Sequence, residues 1–93
     1  MKIVDKPWGY EVHLFKFGEY MVKILHINDG HRTSLQRHER KEEIMFFEDG
    51  QRRHILPKEK HRLCGPANVL EVSWGADDDD VTRFQDDYDR PIQ

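Results

Sequence analysis

Gln36, His38 and Glu43 stand within GHRTSLQRHERKEE, the stretch from Gly30 to Glu43, and His61 follows in PKEKHRL. Two imidazoles, a carboxylate and an amide oxygen suit a borderline divalent ion such as Zn²⁺, Mn²⁺ or Fe²⁺ and leave coordination positions for water or substrate. Gln36 and His38 are two residues apart, so on a strand both side chains leave the same face, with Arg37 opposite. If that face turns inward, Glu43 at the start of the next strand and His61 from a later one can reach the same point. The spacing also fits ordinary solvent-facing groups, because the chain is 35% charged and holds six histidines.

Strands are what the pattern predicts. Apolar and polar residues alternate with period two between turn residues through GYEVHLF, YMVKILHI, TSLQRH, EEIMFF, QRRHIL, KHRLC and NVLEVSW. FGE, NDG, EDG and GPAN separate them, and EDG opens a tight hairpin. Seven short strands at short spacing predict an all-β barrel or sandwich. The acids of DDDDVTRFQDDYDRP precede a short periodic segment ending at Pro91, which predicts a short C-terminal helical segment. No linker or internal repeat divides the chain, so residues 1–93 form one domain.

At 93 residues such a domain buries only about 60% of its unfolded surface, and hydrophobic residues make up 37%. A second subunit is therefore expected to share the burial, giving a homodimer. The net charge of −3 is spread over interleaved acids and bases, which excludes a nucleic-acid surface. The single cysteine, Cys64, forms no internal disulfide, and no apolar run has the length of a signal segment or membrane helix. A cytoplasmic location fits these features.

Lys23 lies on the same strand face as Met21, Leu25 and Ile27. A lysine there either anchors a phosphate or carboxylate or snorkels to the rim. His54 offers a substitute for His61, although a surface role is the simpler reading. His13, His26 and His31 read as structural or exposed. Trp8, Trp74, Phe46 and Phe47 read as core or subunit-interface residues. The acids from Asp77 to Asp80 lack the alternating spacing of a calcium loop and read as a solvated turn. Cys64 reads as a small buried hydrophobe.

The stretches KPWGYE, YMVKILHINDG, SLQRH, KHRL, VLEVSWG and DDDVTRFQDDYDR resemble, in that order, those of the isomerase domain of bifunctional mannose-1-phosphate guanylyltransferase/mannose-6-phosphate isomerases. That domain belongs to the cupin superfamily. Gly30, Gln36, His38, Glu43 and Gly50 match the first cupin motif without a spacing error, whereas Pro57 to His61 is one residue short of the second and lacks its glycine. The resemblance implies a jelly-roll barrel of cupin type in which Gln36, His38, Glu43 and His61 hold a divalent metal. It also implies that Lys23 and Arg83 contact an anionic substrate, Arg83 with Arg90 as the alternative tie between tail and barrel. Two departures stand out. The family's extra histidines and arginine after the first His are replaced by Glu39, Arg40, Lys41 and Ile44, and only six residues separate Gly50 from Pro57 where the family has about twenty.

Two functions follow as expectations. One is aldose–ketose isomerisation of a sugar phosphate, with the metal orienting substrate oxygens and a general base moving a proton between C1 and C2. Glu43 is a ligand in that scheme, leaving His54 or Glu42 as base. The other is a non-catalytic module that binds a sugar or sugar phosphate on the same framework.

Overall fold

The computed structural model describes residues 1–90. Its strands are β1 (Lys2–Lys6), β2 (Gly9–Phe17), β3 (Tyr20–Ile27), β4 (Leu35–Arg37), β5 (Glu42–Phe47), β6 (Arg52–Ile55), β7 (Ala67–Trp74) and β8 (Thr82–Gln85). All pairings are antiparallel. Six strands form one sheet in the order β1-β2-β3-β7-β5-β6, and β4 pairs with β8 in a second.

Register decides which alternate residues turn inward. Across β3 and β7, Lys23 lies opposite Glu71 and Leu25 opposite Val69, while Glu43 of β5 lies opposite Ser73 of β7. All six are buried. The apolar part of this face joins Trp8, Ile27, Met45, Ile55 and Leu63 in one core cluster. Ile27, Ile55 and Val69 have no exposed surface, and each contributes about 1.5–3 kcal/mol by leaving water.

The second layer is extended by backbone bonds to the segment before β7. Thr33 N–H donates to the Leu63 carbonyl at 2.8 Å, and Gln36 and His61 exchange both bonds at 2.9 and 2.8 Å. KHRLC, expected as a strand, forms only bridges, Gln36 with His61 and Arg32 with Cys64. At the β1–β2 turn Gly9 has φ +154°, and a Cβ there would stand 1.9 Å from the His26 carbonyl oxygen. Only glycine permits that approach.

The C-terminal helical segment is corrected by the structure: no helix occurs among the described residues, and Thr82–Gln85 is a strand. The acids ahead of it are spent on side-chain contacts instead of capping a helix. Asp80 accepts bonds from the backbone N–H groups of Glu39, Arg40 and Lys41, and Asp78 pairs with Lys23 and Lys41. So fixed, the chain turns through Val81, whose N–H donates to the Asp79 carbonyl at 2.9 Å, and adds to β4 from Thr82. Pro91, the expected helix end, lies outside the described residues. β1 was not anticipated from the pattern, and the strand pairing forms two sheets instead of one closed ring.

Candidate metal centre

His38 directly follows β4, Glu43 sits in β5, and His61 is bridged to Gln36. Their ligand atoms all lie within 4.8 Å of one another, and all three residues are buried. His38 Nε2 is 2.5 Å and His61 Nε2 3.5 Å from the same carboxylate oxygen, Glu43 Oε1. The far side of each ring is fixed by a carbonyl. His38 Nδ1 donates to the Asp80 carbonyl at 2.6 Å, and His61 Nδ1 donates to the Glu59 carbonyl at 3.0 Å. A carbonyl can only accept, so each Nδ1 keeps its proton and each Nε2 turns toward Glu43.

That centre is not closed by hydrogen bonds. Despite the short approach of His38, no donor is aligned on Glu43 Oε1, and His61 Nε2 also lacks a partner. Unmet buried polar atoms cost about 1–3 kcal/mol each. Either added protons on the imidazoles or a cation between them would relieve that cost. Burial pulls the Glu43 carboxyl upward, but His38, His61, Glu71 and Lys41 outweigh it and hold it far below the ordinary carboxylate range. Glu43 is thus an anion, as a metal ligand must be.

Gln36 lines the same cavity, and its Oε1 accepts from Ser34 Oγ at 3.2 Å, which leaves a lone pair. The cavity holds about 90 Å³ and also receives Lys23, Arg83 and Glu71. Gln36 and Arg83 face each other across β4 and β8. Arg83 Nε is buried without a hydrogen-bond partner, and burial, with Arg90 nearby, lowers the guanidinium's pKa. Arg90 itself is bound to Asp86 through Nε at 2.8 Å.

Behind the centre lies a charge network that the sequence reading met only at Lys23. Lys23 Nζ reaches Asp78 at 3.1 Å, Glu11 at 3.3 Å and Glu71 at 4.0 Å. Burial would lower its pKa, but Glu71, Glu11 and Asp78 more than offset this and raise it to about 12. An ammonium so occupied has little left for a substrate phosphate, so Lys23 is a framework cation, whereas Arg83 is a cavity-lining cation with an open donor. Lys23 Nζ is also the cation paired with Glu11 and Asp78, two members of the group Glu11, His13 and Asp78 whose ligand atoms cluster. Glu71 is buried, and burial and the neighbouring Glu43 anion push its carboxyl well upward.

Other expectations change. His54 and Glu42 bond each other at 2.5 Å on the outward side of the sheet and do not line the cavity, so neither is placed as its base. Cys64 is exposed, because its segment bridges Arg32 at the rim of the second layer. Glu11, Lys41, Glu71 and Asp78 were missed. Glu71 carried a visible signal, an acid on the same alternating face as Val69 in NVLEVSW. The chain matches no protein-family model and no curated protein. Among the described residues no helix is long and apolar enough to cross a membrane.

Proposed function

We propose that this chain is a shortened cupin-type domain whose two sheets are the halves of a jelly roll, and that it binds a divalent cation and, beside it, the oxygens of a sugar or sugar phosphate. The observation that carries the reading is the convergence of His38 and His61 Nε2 on an unpaired Glu43 Oε1, with both Nδ1 atoms anchored on carbonyls. His38, Glu43 and His61 would hold the ion, with Gln36 in reach. When bound, a Zn²⁺, Mn²⁺ or Fe²⁺ ion supplies a Lewis acid that polarises a carbonyl or hydroxyl oxygen. Arg83 supplies the charge for an anionic substituent. A cavity of about 90 Å³ is far below the roughly 300 Å³ at which pockets enclose a small molecule, so the ligand's oxygen-bearing end enters and its remainder stays at the mouth.

Isomerisation of a sugar phosphate is the second reading, favoured by Glu71. A buried carboxyl beside Glu43, pushed upward by burial and by that anion, is suited to act as an acid at the centre. The test is metal content of protein purified without added metal, then calorimetry with Mn²⁺ or Zn²⁺, with mannose 6-phosphate and in a coupled isomerase assay. Binding of ion and hexose phosphate without turnover supports the binding module. Turnover that Glu71→Gln abolishes, with metal affinity kept, supports the isomerase. A protein that takes up neither ion nor sugar phosphate overturns both.

A further inference from the structure

The six-stranded sheet carries charge on its inward face beside the core cluster. Its inward face carries the buried Glu11, Lys23, Glu43 and Glu71. The alternate residues point the other way, and two rows of them are apolar. Ile3, Val12, Ile24, Leu70 and Phe46 are neighbours in register across β1, β2, β3, β7 and β5. Phe15, Val22, Val72 and Ile44 form the adjacent row across four of those strands. Ile3 is 70% exposed and Phe15 59%. The second layer treats its outward aromatic differently: Phe84 has Lys60 Nζ 4.4 Å from its ring centroid and the Arg37 guanidinium at 5.4 Å. Among the described residues no such cationic cover lies over the two rows.

We propose that this face is the interface between two copies of the chain, packed sheet on sheet about a twofold axis. Size and charge both select a second copy. At about 4.8 Å between strands and 3.3 Å per residue, the face measures roughly 24 by 26 Å, and with side-chain relief its area approaches the roughly 800 Å² a stable interface takes from each partner. A twofold contact brings each residue near its own equivalents, so a face that meets itself must be free of charge at its centre. Both rows are uncharged until β6, where Arg52 and His54 end them, and Asp5, His26 and Asn68 mark the row beyond. An apolar centre with a polar rim is the anatomy of such an interface. The metal centre lies on the opposite side of the sheet, so each copy keeps its own, and the dimer does not depend on the metal.

The test is sedimentation equilibrium of the full chain at micromolar concentrations without metal. The expected mass is twice the chain's 11.2 kDa. Leu70→Asp, beside the centre of the longer row, is expected to weaken association by roughly a hundredfold or more and yield the single-chain mass with the β-sheet circular dichroism unchanged. Should that variant fail to fold, Ile3→Lys on the exposed edge strand is expected to weaken association about tenfold. Wild-type protein at the single-chain mass throughout overturns the proposal, and so does a folded Leu70→Asp that remains dimeric. Single-mass protein that floats with neutral phosphatidylcholine vesicles overturns it in favour of a lipid-facing sheet.

Discussion

His38 depends on a residue far from it in sequence. Asp80 gives its backbone carbonyl to His38 Nδ1 while its carboxylate gathers three N–H groups of the turn after His38. The same residue thus orients the ring and fixes the chain that carries it. His38→Ala removes a ligand and is expected to abolish stable Mn²⁺ or Zn²⁺ binding, while Asp80→Ala, which keeps the carbonyl but drops the carboxylate that fixes the turn, is expected to weaken it about 10–100-fold by loosening the chain that carries the ring. Calorimetry reads both, and unchanged affinity in Asp80→Ala would refute the positioning role. Affinity in the wild type should fall in acid, since imidazoles must be neutral to coordinate. Lys23 sets the alkaline limit. Its folded value of about 12 lies above the ordinary 10.5, so its contribution is fully present below 10.5 and is lost as pH rises through 12. The amount is roughly 2 kcal/mol, and urea midpoints measured from neutral pH upward should fall within that window and be flat just below it. In acid the sign reverses for Asp78. Burial draws its carboxyl upward, Lys23 and Lys41 outweigh this, and its contribution is lost as pH falls below the ordinary 3.8 toward about 2.

Elements were more legible than their partners. YMVKILHI and EEIMFF coincide with β3 and β5, because strict alternation between turns leaves a chain few other ways to bury one face. β1 escaped because KIVDK is a short edge strand, with one side unpaired and Pro7 just beyond its end. The acidic run was misread for a physical reason: acids at a helix start and acids that reach distant lysines look the same in one dimension. Gln36 and His38 could be set on one face from spacing, but whether Glu43 and His61 meet them depends on pairing between strands far apart in sequence. Hence the buried partners Glu11, Glu71 and Lys41 and the exposed Asp78 stayed hidden, although Lys23 on an apolar face announced that something must neutralise it. Gly9 gives the element scale its own test. Gly9→Ala forces a Cβ against the His26 carbonyl, the β2–β3 register must yield, and a loss of roughly 2–4 kcal/mol in urea unfolding is expected. A midpoint equal to wild type would show that the approach is not tight.

On the scale of the whole molecule, charge is placed where most small domains place their core. The inward face of the large sheet spends Glu11, Lys23, Glu43 and Glu71 on the cavity, so apolar burial between the layers is confined to one compact cluster. His38 and His61 belong to the smaller layer and Glu43 to the larger, so an ion at the centre would join the two layers where apolar contact is least. The unfolded chain has no such arrangement, and binding therefore adds directly to folding stability. At a hundredfold excess over its dissociation constant, an ion adds about 2.7 kcal/mol, and for a chain of this size each kcal/mol moves the melting temperature by about 4–8 °C. Mn²⁺ or Zn²⁺ at that excess should therefore raise the melting temperature by roughly 10–20 °C. A chelator should reverse the rise, and His38→Ala should melt at one temperature with or without metal. If wild-type protein shows no shift with any divalent ion, the two imidazoles and Glu43 are held together by protons, and their geometry serves the fold alone.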